Sequence, residues 1–152
     1  MYTEHMTQGL SIAGTPIHAQ QLTTTTTLTT GKVDLSQLKR ALFVLDLGAF
    51  GGTSPTCSAV LTIQDSPDGS TWTNNGTVGT LTVNAASKVG TSEIRADQLN
   101  AGARYVRASV VFTIGGTSPT IPAVVLPLGG EAIHKPASAQ NDASVVAQAV
   151  TN

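Results

Sequence analysis

The sequence is short of charge. Only 11% of its residues are Asp, Glu, Lys or Arg, where soluble domains usually carry about 25%. Eight cations against nine anions leave a net charge of −1. Without a basic stripe there is no electrostatic footprint for a nucleic-acid duplex or an anionic membrane. Aromatic residues are also scarce, at 4%, too few for the stacking platforms that hold single strands. The lone cysteine, Cys57, excludes an internal disulfide, so packing has to hold the fold. The start of the chain has no basic segment followed by an apolar run, so no signal peptide is expected, and no run of about 18 apolar residues crosses a membrane as a helix. Neither nucleic acid nor membrane is an expected partner.

What replaces charge is Thr, at roughly 15% of the chain, with 15 Gly. Thr is β-branched and favours pleated, half-buried positions. The expectation is an all-β protein, a single β-sandwich or jelly-roll-like domain of about eight strands. Its body spans residues 21–130, with an N-terminal arm at 1–20 and a C-terminal arm at 131–152. The Thr tract at 23–30 reads as an edge strand or an arm. DLSQLKR at 34–40 reads as one helical turn behind an Asp cap. ALFVLDLGAF at 41–50 is a continuous apolar run, expected to be a strand buried on both faces. SAVLTIQ at 58–64 alternates, with Ala59, Leu61 and Ile63 on one face. Residues 66–69 then read as a turn, with Pro67 and Asp68 at its centre and Gly69 in the left-handed position. Residues 104–114 and 121–128 read as two further strands, with Pro122 and Pro127 pushing the last toward a sheet edge.

One hexapeptide, GGTSPT, occurs twice, at 51–56 and 115–120. Both copies read as hairpin loops, Gly51, Gly52, Thr53, Ser54 and Pro55 in the first and Gly115, Gly116, Thr117, Ser118 and Pro119 in the second. Either two good turn formers are reused, or the two tips lie side by side as a contact surface. Catalytic patterns are missing: His5, His18 and His134 are far from one another and from ligand spacing, and no nucleophile elbow, phosphate loop or zinc motif occurs. No catalytic residue, metal or cofactor is expected. Asp65 and Asp68 suggest a paired carboxylate, but a turn explains them better. Trp72 is either a sugar platform or, preferably, a core plug beside its turn. Tyr105 is read as structural, and the flanking Arg104 and Arg107 as facing opposite ways on one strand. The Asn75, Gly76, Thr77 glycosylation pattern carries no weight without an export signal.

Two families share these patterns. SPDGSTW at 66–72 and ARYVR at 103–107 resemble the signatures of discoidin-like carbohydrate- or lipid-binding modules, which implies a binding face around Trp72; the paired cysteines common in that family are absent. A longer ordered series resembles small head structural proteins of tailed bacteriophages: VDLSQLKRALFVLDLGA, VLTIQDSPDGSTWT, LNAGARYVRASVVFT, IPAVVLPLGG, then Lys135, Pro136 and Ala137. That resemblance implies a virion protein, made in the host cytoplasm, that decorates or cements a capsid, with a neck or tail component as the alternative. Its implied partners are the major capsid protein and further copies of itself, a trimer by expectation.

Overall fold

The computed structural model describes residues 6–149. It is all-β: ten strands form one antiparallel sheet that curls around a single core. A four-residue helix, α1 (Met6–Gly9), precedes β1 (Leu10–Ile12), β2 (Ile17–Leu22), β3 (Thr26–Thr29), β4 (Val33–Asp34) and β5 (Leu38–Leu47). Then come β6 (Gly51–Ser66), β7 (Thr73–Asn74), β8 (Leu81–Val83), β9 (Lys88–Arg95) and β10 (Tyr105–Ala132), with short 3-10 turns at Ala96–Gln98 and Ala137–Gln140.

The spine is β10, 28 residues long. One of its edges is covered end to end by residues 38–66: β5 pairs with its second half and β6 with its first. Along the other edge β1, β2, β3 and β4 follow in turn, from Gly130 down to Tyr105. Three antiparallel ribbons therefore run side by side, and all three are irregular at the same level: the outer two break near residues 23–25 and 48–50, and β10 and β6 are bulged between 115 and 120 and between 51 and 56. On one side of that crease lies the β5 half, extended by β9; on the other lies the β6 half, extended by β7 and β8. The open margins also approach each other, since a Cβ on Gly90 of β9 would stand 2.6 Å from the Val83 side chain of β8.

Alternation explains which residues meet inside. Ala41, Phe43, Leu45 and Leu47 of β5 and Cys57, Ala59, Leu61 and Ile63 of β6 are buried, each set spaced by two as one face of a strand requires. In β10 the buried positions are even before the crease (Val106, Ala108, Val110, Phe112) and odd after it (Ile121, Ala123, Val125). A change of parity within one strand needs an irregular residue count, and the ladder slips twice between Gly115 and Thr120.

Several expectations are corrected. There are ten strands where about eight were expected, and the two expected strands around the second GGTSPT are one. Pro122 and Pro127 lie in a central strand, not at an edge. Both fall where a neighbour is interrupted. The Pro127 carbonyl takes the Ala13 N–H at 3.2 Å, between β1 and β2, and the Pro122 carbonyl takes the Gly48 N–H at 2.9 Å, just past β5. A residue's nitrogen points to the same side as its carbonyl, so the missing donors face gaps in the flanking ribbons. The strand in 41–50 is buried on its inner face and only half-buried at Leu42 and Val44. Of the expected helical turn at 34–40, only residues 35–37 form a turn, with the Ser36 N–H on Asp34 Oδ1 at 2.9 Å; Asp34 ends β4 and Leu38 already begins β5.

The expected arms are folded back where they are described. β1 and the start of β2 belong to the sheet. The C-terminal segment returns to them: Asn141 Oδ1 accepts the Ile12 N–H at 3.0 Å, Asp142 Oδ2 accepts from Thr15 Oγ1 at 2.9 Å, and the Asp142 N–H reaches the Ile12 carbonyl. The Thr tract contains β3, which lies at the sheet's edge on β10.

Candidate functional site

The two GGTSPT copies pair with each other. Gly51 stands opposite Thr120, Thr56 opposite Gly115, and Thr53 opposite Thr117, so a local two-fold axis relates the copies and passes between Thr53 and Thr117. The backbone obeys it too: φ is +105° at Gly52 and +110° at Gly116, +49° at Ser54 and +48° at Ser118. Each copy supplies a positive-φ bulge opposite the other's, which bends two strands together. The residues expected to form loops are therefore strand residues, side by side as one reading had it but not hairpin tips. Gly52, Thr53, Ser54, Gly116, Thr117 and Ser118 are exposed, and Gly51, Pro55, Gly115 and Pro119 are partly covered. The crease is an uncharged ridge with a fixed shape.

A second cluster lies at the far end of the β6 half. Gly69 has φ +76°, as the turn chemistry of Pro67, Asp68 and Gly69 implies, but side chains rather than a backbone turn bond hold the bend. Ser66 Oγ accepts the Gly69 N–H at 2.8 Å, and Asp68 Oδ1 accepts the N–H groups of Ser70 and Thr71, both at 2.8 Å. Those two backbone donors hold the Asp68 carboxyl well below its usual range. Asp65, three residues earlier, points the other way and is buried. It accepts from Asn75 Nδ2 at 2.8 Å, the Asn100 N–H at 2.8 Å, Asn100 Nδ2 at 2.9 Å and Thr73 Oγ1 at 3.2 Å. Burial pushes its pKa up, but these donors outweigh burial and leave it lowered. The two carboxylates are structural and not a pair. Asn75, buried, also donates to the Gln98 carbonyl, so its amide nitrogen is engaged inside the fold.

Trp72 and Tyr105 are not in the core. Both are half-buried on the outer surface, and the three cation–π contacts among the described residues all fall on them: Arg107 over Trp72 at 4.3 Å, and Lys32 and Arg104 over Tyr105 at 4.7 and 4.9 Å. Arg107 also donates to Gln64 Oε1 at 2.9 Å, and Gln64 donates to Asn74 Oδ1 at 3.0 Å. Arg104 grips Asp34 with two nitrogens. Arg104 and Arg107 therefore cover different rings and bond different partners, Asp34 and Gln64.

Neither a protein-family model nor a curated protein sequence matches the chain. Among the described residues no three His, Cys, Asp or Glu side chains are grouped as metal ligands, and no helix is long and apolar enough to cross a membrane. His18 and His134 are exposed; His5 lies outside the described residues. Cys57 is buried on the inner face of β6, and burial pushes its thiol pKa up, the opposite of what a nucleophile needs. Sequence reasoning missed the mutual pairing of the hexapeptides and the roles of Lys32, Asn75 and Asn100. It could have found Asp65, since the alternation of Ala59, Leu61 and Ile63 continues to it.

Proposed function

We propose that the chain is a non-catalytic virion structural protein, a capsid decoration or cement protein that binds the outer surface of a phage head and associates with copies of itself. In this reading the curled sheet is a jelly-roll-like sandwich whose two halves are its layers. The observation that carries it is the crease: an exposed, uncharged ridge of Gly, Thr, Ser and Pro, shaped by paired positive-φ bulges. Such a ridge docks on protein by shape and modest hydrogen bonds, each worth about 0.5–1.5 kcal/mol net, and repetition on a lattice multiplies weak contacts. A net charge of −1 lets many copies crowd together without strong repulsion.

The test is occupancy on heads assembled with the chain and imaged by electron cryomicroscopy. Thr53→Asp with Thr117→Asp, both on exposed side chains, is expected to reduce occupancy at least about tenfold by setting charge against the capsid. Full occupancy by this variant would count against the crease, and no density on heads would end the decoration reading. The carbohydrate reading draws on the outward placement of Trp72, but the Arg107 guanidinium already covers that ring. Specific glycan binding that disappears in Trp72→Ala would favour it.

A further inference from the structure

The edges of the sheet are unequally protected. The outer edge of the β5 half is β9, which carries Lys88, Glu93 and Arg95. Beyond β6 the sheet ends in β7 and β8, only two and three residues long. Charge and brevity are both means of keeping a sheet edge from pairing. The opposite edge of the β6 half is β3, and residues 20–31 around it contain no charged residue and no proline. Thr30 gives its N–H to the Ala108 carbonyl at 3.0 Å. In an antiparallel ladder the peptide groups alternate, so Leu28 also bonds toward β10, and the N–H and C=O of Thr27 and Thr29 point away from it. Among the described residues β3 pairs with β10 alone, so its outward groups are free as far as Thr29; beyond it the Gly31 N–H is taken by the Thr15 carbonyl at 2.8 Å, which ends the open edge there. The Thr27 and Thr29 side chains are exposed, and Leu28 is half-buried against the core.

We propose that this edge pairs with the same edge of a second copy, antiparallel across a two-fold axis at Leu28. Thr27 then stands opposite the partner's Thr29, and Thr29 opposite the partner's Thr27. Each of these two pairs exchanges both of its peptide hydrogen bonds. The sequence is self-complementary in this register: Thr meets Thr on the outer face, a favourable cross-strand pair, and Leu28 meets the partner's Leu28 on the inner face. No like charges are brought together. The inference rests on reading the chain as self-associating, and it makes the closed unit a dimer in place of the expected trimer.

Sedimentation of the full chain at up to about 1 mM, the weak end of specific association, tests this. The wild-type chain is expected to form a dimer. Thr27→Lys with Thr29→Lys sets Lys opposite Lys twice and should raise the dissociation constant at least about tenfold. Thr27→Lys with Thr29→Glu sets Lys opposite Glu twice and should keep the dimer. Both variants alter only exposed side chains, and an unchanged melting temperature verifies their fold. A Lys/Lys variant that dimerises like the wild type overturns the edge pairing while leaving self-association through another surface. A Lys/Glu variant that dissociates as the Lys/Lys one does overturns the register, and a trimer overturns the two-fold axis. A wild-type monomer at the highest concentration overturns both the pairing and self-association.

Discussion

Gly52 and Gly116 each approach the other hexapeptide's backbone more closely than a side chain allows. A Cβ on Gly52 would stand 2.5 Å from the Ser118 carbonyl oxygen, and one on Gly116 2.7 Å from that of Ser54. Both residues also hold a φ that only glycine adopts freely. Gly52→Ala and Gly116→Ala are each expected to cost about 2 kcal/mol or more, strain and clash together, as a fall in the urea midpoint at unchanged slope. Ser54→Gly, at φ +49°, should stay within about 0.5 kcal/mol of wild type, because relief of left-handed strain offsets the entropy glycine adds to the unfolded chain. A Gly52→Ala chain as stable as the wild type would falsify the paired-bulge geometry. The hexapeptide repeat was plain in the sequence, but its pairing was not: Gly and Pro signal a change of direction, and whether that change is a hairpin or a bend in a continued strand depends on a partner far along the chain. Trp72 was misplaced for a similar reason, since a lone aromatic is usually buried and only Arg107, across the β6 ladder, makes its outward position tolerable.

At the scale of elements, the alternating strands were legible because a half-buried strand must repeat every two residues. Their lengths were not. β9 was not among the strands expected, since residues 88–91 show no alternation of their own and are carried by β5. The prolines of β10 misled because the rule that keeps Pro off central strands concerns a missing donor, and β10 has two places where no donor is needed. The terminal segments were misjudged because polar composition says nothing of backbone partners. Asn141→Ala removes the side-chain acceptor of the Ile12 N–H and should cost about 1–2 kcal/mol. Hydrogen exchange checks it: the Ile12 amide should exchange faster, while amides of β5 keep their protection.

For the whole molecule, pH exposes how the few charges are used. The carboxyls of Asp34, Asp65, Asp68 and Asp142 are all held below the usual range. In Asp34, as in Asp65, burial raises the pKa and bonded donors, here Arg104 and Ser36, outweigh it; Asp142 is lowered chiefly by Ser144. Because the folded pKa values lie below an unfolded value of about 3.9, the unfolded chain binds more protons in acid. The stabilisation is complete well above that value and is lost as pH falls through it toward the folded values. Urea midpoints measured from pH 7 to pH 2 should be level at first and then drop below about pH 5. Asp65→Asn should destabilise at neutral pH by at least about 2 kcal/mol, since one amide oxygen cannot satisfy the donors around it, and should flatten the acid limb. An acid limb as steep as that of the wild type would show that Asp65 is not held ionised. What the sequence determined by itself is the class of structure and of chemistry. Thr-rich alternation demands strands, and the scattered single charges form no recognisable catalytic or metal-ligand motif. What only the tertiary structure decided is which residues share a surface. The crease, the unprotected β3 edge and the cation-covered aromatics each join residues far apart in the chain, and their juxtaposition follows from the path of β10 across both halves of the sheet, a long-range pairing that local patterning does not encode.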